Sequence, residues 1–251
     1  MPKVSCNLDY KTLGNPVKMK ETDFDHKVLA KIMVEKWPDI RYFYKNSYEE
    51  IREWQFEKIK NLVDFAYVHV PLYHEKYTRA GYKPGDLHSW HDFESLPILY
   101  KKELIEGFPA KTVSDEHTLD FTTRSSGSSG TFVTLAVSKE AIYEDTIQGV
   151  RQIEFQSGNN YQPTDITLFI YTCSWWVSSV NGEYRTEFIS TSTPVNEAIS
   201  KIFELKPQFL STYPTYLKKI SKETTDLKSA GIKAIIIHSE QSTKKEREGL
   251  S

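Results

Sequence analysis

The sequence predicts an α/β fold, with a mostly parallel sheet preceded by an N-terminal helical cap. In the first 110 residues, apolar side chains recur at helical spacing. From about residue 111 to residue 251, short apolar runs alternate with helical stretches, as in parallel α/β sheets. Hydrophobic residues make up 39% of the chain and aromatic residues 13%, enough for a sizeable core. We therefore expect a helical segment over 1–110 and an α/β part over 111–251.

A few residues mark where the helices of the first segment begin and end. A short helix is expected over 28–35, stopping near Pro38 because proline lacks the N–H that continues a helix. Ser47 and Glu50 have the spacing of a capping box, and the helix that they open should end near Pro71. Its core-facing stripe follows helical spacing and consists of Phe56, Ile59, Val63, Ala66 and Val70.

The second part contains the strand signals. Strands are expected at five apolar or alternating runs: 119–123, 132–137, 166–172, 209–212 and 232–238. A helix should run from Ser138, a good N-cap, to about residue 155, and two more should cover 195–205 and 214–221. Because 166–172 and 232–238 are short and continuously apolar, they are typical of buried parallel strands.

Charge, hydropathy and cysteine content exclude several classes of protein. Lys and Arg number 32 against 34 Asp and Glu, a net charge of −2, which argues against a nucleic-acid partner. No stretch approaches the roughly 18 apolar residues of a membrane helix, and we expect no secretory signal because the first residues contain no long apolar run. Cys6 and Cys173 are too few for a disulfide framework or a four-cysteine zinc site. We expect a cytoplasmic protein with reduced thiols and no membrane partner.

One loop, residues 122–131, has the composition of an anion-binding site. Apart from Arg124 it contains Ser, Thr and Gly alone. Small residues let backbone N–H groups approach an anion, and hydroxyls add donors, as a nucleoside triphosphate requires. The loop is not a Walker A motif, because no lysine follows Gly130. A flexible Gly/Ser linker is the alternative, but strand-like runs on both sides favour a connection between two strands.

The loop lies within RSSGSSGTFVTLAVSKEAI, which resembles the phosphate-binding loop of adenylate-forming enzymes, the acyl- and aryl-CoA ligase superfamily. Within that superfamily the sequence resembles the phenylacetate–CoA ligase-like branch, which also holds capsule-biosynthesis adenylate-forming proteins. Three further stretches resemble this branch in the same order: VHVPLYHEKYTRAGYKPGDLHSWHDFESLPILYKKEL, KPQFLSTYPTYLKKIS and IKAIIIHSEQSTKKEREGL. The resemblance extends from about Lys60 to the end.

The resemblance implies a two-step reaction. A carboxylic acid attacks the α-phosphate of ATP to give an acyl-adenylate and pyrophosphate, with Mg²⁺ assisting, and a thiol such as coenzyme A then takes the acyl group. By position, the loop residues that would bind phosphates are Ser125, Ser126, Gly127, Ser128, Ser129, Gly130 and Thr131. Ser239 and Glu240 fall where the family approaches the adenine. The small-molecule acid would lie near Tyr171, Trp175, Trp176 and Tyr213.

The chain also departs from the family pattern. The Mg²⁺-binding glutamate motif, the ribose-binding aspartate and the C-terminal lid domain with its catalytic lysine do not occur before Ser251, and Phe132 stands where proline is common. The resemblance therefore implies an incomplete N-terminal adenylation domain, inactive alone, with no catalytic residue assigned. Three explanations of the missing half stay open: a truncated reading frame, a split enzyme with the rest on a second chain, or a sequence that is part of a longer protein. The alternative function is a non-catalytic remnant or a binding subunit of a split ligase. A role in capsular polysaccharide biosynthesis is implied by resemblance alone.

Other chemistries fit the sequence less well. His88 and His91 have the spacing of two metal ligands on a helix, but no cysteine lies nearby and no metal site is expected. A Ser-His-Asp hydrolase is not expected, because no G-x-S-x-G turn occurs. The mixed charges of 244–248 are typical of a solvated helix face.

Overall fold

The structure, a computed structural model, describes residues 21–42, 45–116, 120–125, 131–174, 177–224 and 226–245. These residues fall into two compact units. The first is the described part of Phe43–Ile142, and the second joins the described part of Lys20–Tyr42 to that of Tyr143–Ser251. The boundary expected at residue 110 therefore does not coincide with the division of the chain into compact units.

The first helix, α1 (His26–Tyr42), explains part of this difference, because it packs within the second unit. The backbone N–H of Asp25, just before the helix, donates to the hydroxyl of Tyr143 at 2.7 Å. The rings of Trp37 and Tyr184 lie 5.5 Å apart. Long-range aromatic contacts of this kind are not visible in the local pattern from which the boundary was predicted.

Pro38 lies inside α1, so the predicted end of this helix near Pro38 is wrong. A proline in a helix interior removes one hydrogen bond and costs about 3 kcal/mol. The ring of Pro38 is exposed, whereas Leu29 and Met33 of the preceding turns are buried. Tertiary packing of the helix therefore outweighs the local penalty that the prediction relied on.

The first unit begins with a series of helices. α2 (Tyr48–His69) opens with the predicted capping box: the Glu50 N–H donates to Ser47 Oγ at 3.2 Å and the Ser47 N–H donates to Glu50 Oε2 at 2.7 Å. Three shorter helices follow: α3 (Pro71–Arg79), α4 (Trp90–Glu94) and α5 (Lys101–Gly107). Their shared core is formed by the buried side chains of Val63, Tyr77, Tyr82 and Leu87.

The same unit ends in a two-stranded hairpin. β1 (Phe121–Arg124) pairs antiparallel with β2 (Thr134–Val137), and Arg124 lies opposite Thr134. The glycine- and serine-rich loop therefore connects two strands that pair with each other, as the flanking runs predicted. This pairing contradicts the alternative that the loop is a linker between separate globules.

A four-stranded parallel sheet forms the frame of the second unit. Its elements in chain order are α6 (Lys139–Gln156), β3 (Thr167–Tyr171), β4 (Thr186–Ser190), α7 (Val195–Leu205), β5 (Phe209–Thr212), α8 (Pro214–Glu223) and β6 (Ala234–Ile237). The strand order is β4-β3-β5-β6, and each neighbouring pair is parallel. The predicted α/β class with a parallel sheet is confirmed. Among the described residues, no helix is long and apolar enough to cross a membrane.

The two faces of this sheet carry different side chains, because successive residues of a strand point to opposite faces. On one face, Leu168, Ile170 and Leu210 pack in a core with α7 and α8. That core is closed by Ala198, Ile202, Leu217 and Ile220, all buried. The alternate residues of the strands belong to the other face, and some of them line a cavity together with residues of α6.

β4 is the strand that the sequence does not predict. It lies at the edge of the sheet and pairs with β3 alone among the described strands. Only Ile189 of its five residues is buried, and Phe188 is 39% exposed. An edge strand of this kind offers neither a continuous apolar run nor a clean alternation, so the sequence gives it no recognisable signal.

Candidate functional site

The carboxyl ends of β3, β5 and β6 bring several predicted site residues to one edge of the sheet. Tyr171 is the last residue of β3, Tyr213 follows β5, and Ser239 and Glu240 follow β6. Parallel strands present their carboxyl ends on the same side, which is the usual position of ligand sites in such sheets. The structure therefore places these four residues together, although their roles remain predictions.

A series of hydrogen bonds between uncharged side chains runs along this edge of the sheet. The hydroxyl of Tyr171 lies 3.0 Å from Ser211 Oγ and 2.6 Å from His238 Nε2. The other ring nitrogen of His238, Nδ1, lies 2.7 Å from Ser239 Oγ. The rings of Tyr171 and His238 are also stacked, with centroids 4.8 Å apart. Both nitrogens of His238 thus have hydroxyl partners, which fixes the orientation of the ring.

The protonation states of Tyr171 and His238 follow from the burial of their side chains. Burial raises the pKa of Tyr171 to about 12, against a smaller lowering from its hydrogen bond with Ser211. Burial also lowers the pKa of His238 below its ordinary value of 6.5. Near neutral pH the phenol is protonated and the imidazole is uncharged. The edge therefore offers hydroxyl and imidazole N–H groups as hydrogen-bond donors without a fixed positive charge.

Tyr213 extends the aromatic part of the edge. Its ring meets the ring of Tyr171 edge-on, with centroids 4.7 Å apart, and its hydroxyl lies 3.2 Å from Thr172 Oγ1. Trp175 and Trp176, also predicted for the acid pocket, lie outside the described residues.

Glu240 has a local partner that the sequence did not predict. Its carboxylate accepts hydrogen bonds from the Thr215 N–H at 3.0 Å and from Thr215 Oγ1 at 2.9 Å. Thr215 lies in the first turn of α8, where unpaired N–H groups and the helix dipole favour a negative charge. Ser239 adopts a φ of 68°, the left-handed region that non-glycine residues rarely occupy. Capping α8 is thus the role that the geometry gives to Glu240, while contact with an adenine stays a prediction.

A cavity of about 230 Å³ lies between α6 and the face of the sheet opposite α7 and α8. The strands contribute Phe169, Ser211 and Ile236 to its wall, and His238 completes the wall beside the carboxyl edge. The helix and the loop before β4 add mostly apolar surface, including Val150, Ile153 and Val177. The cavity can therefore hold an apolar group while the His238 network meets a polar end.

Sequence reasoning missed His238 and Ser211 as wall residues. A signal for both existed in strand alternation. Ile235 and Ile237 pack in the α7–α8 core, so Ile236 and His238 must lie on the other face. Likewise, Leu210 packs in that core and Ser211 faces away from it. The sequence does not show on which face of the sheet a cavity remains between the strands and a helix.

Two ends of the predicted phosphate loop are described, whereas Ser126–Gly130 lie outside the described residues. The Val133 N–H donates to Ser125 Oγ at 2.9 Å, and the Ser125 N–H donates to the Val133 carbonyl at 3.0 Å. The Thr131 carbonyl accepts a hydrogen bond from Lys101 Nζ at 2.5 Å. The hairpin thus fixes the start of the loop, and a lysine of α5 contacts its end.

The described side chains were also searched for groups that could bind a metal ion. Within the described ranges, no three His, Cys, Asp or Glu side chains lie close enough to hold a metal ion. In ATP-dependent enzymes Mg²⁺ is held largely by phosphate oxygens and one or two carboxylates. We therefore assign no residue of this chain to Mg²⁺.

The second unit is of the α/β class and has a cavity beside the carboxyl edge of its parallel sheet, where many domains of this class bind ligands. Comparisons with known proteins show which domains of this class the chain resembles. Over 198 residues the chain is 24% identical to phenylacetate-coenzyme A ligase of Aromatoleum evansii, covering 74% of this chain and 43% of the relative. Over 66 residues it is 30% identical to phenylacetate-coenzyme A ligase of Escherichia coli strain K12, covering 26% of this chain and 15% of the relative. No protein-family model matches the chain.

Solved structures share the fold. An open conformation of 2-hydroxyisobutyryl-CoA ligase, in complex with 2-HIB-AMP and CoA, matches with a TM-score of 0.68 at 17% identity and covers 85% of this chain and 53% of the ligase. The same ligase in its thioesterification state matches with a TM-score of 0.66 at 18% identity, covering 85% and 48%. The chain thus spans about half the length of the proteins that it matches. These structural likenesses show a shared fold.

Proposed function

We propose that this chain forms the acid- and nucleotide-binding part of an AMP-forming carboxylate ligase similar to phenylacetate–CoA ligases. The observation that carries the proposal is the cavity beside His238, in a chain that shares its fold with an acyl-CoA ligase. The sequence likeness to two phenylacetate-coenzyme A ligases supports it. The complete reaction of such ligases is proposed here for the whole protein, with ATP and coenzyme A as co-substrates.

The reaction has two balanced steps. A carboxylate oxygen of the acid attacks the α-phosphorus of ATP, the bond to the β-phosphate oxygen breaks, and pyrophosphate leaves. A thiol sulfur then attacks the acyl carbon and loses its proton to solvent or a base, the bond between the acyl carbon and the phosphate oxygen breaks, and AMP leaves while the acyl group stays on the thiol as a thioester. The residues of this chain would bind and orient the reactants, which is the larger part of the task when the chemistry consists of displacements.

The size of the cavity suggests a compact acid. A dry cavity of about 150 Å³ accommodates benzene, so a cavity of about 230 Å³ has room for a ring or a short branched chain with a small extension. Phe169, Val177 and Ile236 would pack against the apolar part of the acid. The uncharged donors of Tyr171 and His238 would orient its carboxylate at the carboxyl edge.

The loop would bind the phosphates of ATP. Ser125 and Thr131 border it, and the resemblance adds Ser126 to Gly130 through their backbone N–H groups and hydroxyls. Contacts of Ser239 and Glu240 with the adenine, participation of Mg²⁺ and a role in capsular polysaccharide biosynthesis belong to the same proposal. They rest on the resemblance alone.

Calorimetric titration tests the two binding functions separately. We expect saturable binding of ATP·Mg²⁺, weakened when Ser128 and Ser129 are both replaced by Ala and unchanged by Ser200→Ala on the exposed surface of α7. We expect phenylacetyl-sulfamoyl-adenosine to bind more weakly to His238→Ala than to a control, His88→Ala, whose side chain is exposed in the first unit. Absence of saturable binding for both ligands would overturn the proposal.

A further inference from the structure

We propose that Gly149 determines which acids this chain binds, because its missing side chain leaves room in the cavity for the ring of an uncharged aryl acid. This inference rests on the proposed acid-binding function and adds to it a specificity-determining residue and a class of substrate. Gly149 is not among the residues that the sequence predicted for the acid.

Gly149 lies in the helical wall of the cavity, in the interior of α6 (Lys139–Gln156). Thr146, Val150 and Ile153 of the same helix also line the cavity. Together with Gly149 these residues have the i, i+3, i+4, i+7 spacing of one helix face. A side chain at position 149 would therefore extend from that face into the cavity.

A glycine is an unfavourable residue at this position. In a helix interior it destabilises the protein relative to alanine, because a glycine loses more backbone freedom on folding. Its backbone here has the helical conformation that other residues also adopt, so no turn requires a glycine. What a glycine provides at position 149 is space beside the cavity.

Aromatic side chains form part of the remaining wall of the cavity. Phe169 comes from the sheet, and Tyr161 and Tyr184 come from the segments before β3 and β4. The rings of Tyr161 and Tyr184 already meet edge-on, with centroids 5.7 Å apart. Aromatic rings favour edge-on and offset contacts at about this distance. A ring that lies against the backbone of Gly149 can therefore make such contacts with this wall.

The polar groups of the wall indicate the charge of the ligand. Those that the structure describes are hydroxyls, the side-chain amides of Gln152 and Gln156, and the uncharged imidazole of His238. Moving a charged group out of water is costly unless an opposite charge or several hydrogen bonds compensate it. We therefore expect the part of the acid beyond its carboxylate to be uncharged.

The preceding residue offers a matched control on the same helix. Gln148 is exposed and lies outside the lining of the cavity, and its side-chain oxygen accepts a hydrogen bond from Arg151 Nη1 at 3.0 Å. Gln148→Ala and Gln148→Leu introduce the same side chains as Gly149→Ala and Gly149→Leu, one position away. A difference between the two pairs of variants therefore reports the position of the added side chain.

The test measures the affinities of the 251-residue chain and of these four variants for two ligands by calorimetry. The ligands are phenylacetyl-sulfamoyl-adenosine and acetyl-sulfamoyl-adenosine, which differ in the ring alone. One methylene group in an apolar pocket changes discrimination about tenfold or more, so we expect Gly149→Ala to weaken the phenylacetyl ligand by about that factor and Gly149→Leu to weaken it further. Gly149→Ala should bind the acetyl ligand as the wild type does, and the Gln148 variants should bind both ligands as the wild type does.

Thermal unfolding separates a role in binding from a role in packing. If the space at position 149 belongs to the cavity, Gly149→Ala should raise the melting temperature by about 2–4 °C, because alanine favours the helix. If Gly149→Ala instead lowers the melting temperature and weakens both ligands equally, the glycine is needed for packing and the inference is wrong.

The remaining results distinguish the inference from the proposed function. If Gly149→Ala binds the phenylacetyl ligand as tightly as the wild type does, the inference is wrong while the proposed function stands. The same holds if the wild type binds the acetyl ligand but not the phenylacetyl ligand. If the wild type binds neither ligand, the proposed acid site fails and the inference fails with it.

Discussion

The two ends of the parallel sheet hold their polar groups in different ways. At the amino end, Asp165 before β3 pairs with Lys233 before β6, with Nζ 2.9 Å from Oδ1. Between them, the side-chain carbonyl of Gln208 accepts the Ile166 N–H at 2.8 Å, and its main-chain carbonyl accepts the Lys233 N–H at 2.7 Å. An ion pair and the hydrogen bonds of Gln208 thus join the strands at the amino end of the sheet.

At the carboxyl end, by contrast, the polar groups of Tyr171, Ser211 and His238 are uncharged, and Ser211 and His238 line a cavity. A closed, charge-paired end stabilises the strands without leaving room for a ligand. An end of neutral hydrogen bonds can exchange partners with a ligand at smaller cost, because no buried charge is uncovered. The comparison leads us to expect that the amino end of the sheet contributes stability, whereas the carboxyl end contributes the proposed binding.

Among the variants that test this comparison, Asp165→Ala is expected to change the free energy of unfolding most. The side chain of Asp165 is only 7% exposed and also accepts the Gln162 N–H at 2.9 Å, so its removal leaves two donors without a partner. We expect a loss of about 2 kcal/mol in the free energy of unfolding, measured with urea, and unchanged binding of the acyl-sulfamoyl-adenosine.

Glu187→Ala is the matched control for that variant. The Arg185–Glu187 pair is 49% and 40% exposed, so its loss should cost less than about 1 kcal/mol. If Asp165→Ala were no more destabilising than Glu187→Ala, the amino end would not have the stabilising role assigned to it.

Tyr171→Phe should have a smaller effect on stability and a larger one on binding. It removes the hydroxyl shared by Ser211 and His238 but keeps the ring, so we expect about 1 kcal/mol of destabilisation. Affinity for the acyl-sulfamoyl-adenosine should fall several-fold. Tyr213→Phe, whose hydroxyl bonds to the exposed Thr172, should leave stability nearly unchanged. Equal stability losses in the two variants would contradict the importance of the buried network.

The smallest expected effect is a pH dependence at His238. Burial lowers its pKa in the folded protein below 6.5, so the unfolded chain takes up this proton first as the pH falls. The contribution of His238 to stability is therefore fully present above pH 6.5 and is lost as the pH falls toward the folded pKa. We expect His238→Gln to reduce the slope of stability against pH in this window, measured by urea unfolding at several pH values. His88→Gln should leave the slope as it is, and equal slopes in all three proteins would contradict the buried state of His238.

Much of this sheet was predictable from local pattern. β3 and β6 are short apolar runs, and β5 is followed by a proline at the first turn of α8, so their positions followed from the sequence. β4 was not predictable, because an edge strand is half exposed and its pairing depends on β3. The course of α1 past Pro38 was also missed, since packing decided it.

The candidate site was predictable in part for a similar reason. Tyr171 and Tyr213 were predicted for the acid pocket from the resemblance to the ligase branch, and the structure places them at the carboxyl ends of β3 and β5. Ser211 and His238 could be predicted as site residues only if it were known which face of the sheet borders the cavity. The contact of Lys101 with Thr131 joins residues 30 positions apart, and no local periodicity reports a contact at that distance.

The ion pair at the start of β4 has a consequence for the protein in concentrated solution. β4 lies at the edge of the sheet among the described strands, and Arg185, just before it, and Glu187, within it, carry opposite charges. Strand edges can recruit another copy of the same chain, and charged side chains discourage such growth because they must be dehydrated first. We therefore expect these two side chains to oppose pairing of β4 with a second copy, next to the exposed Phe188, which would favour it.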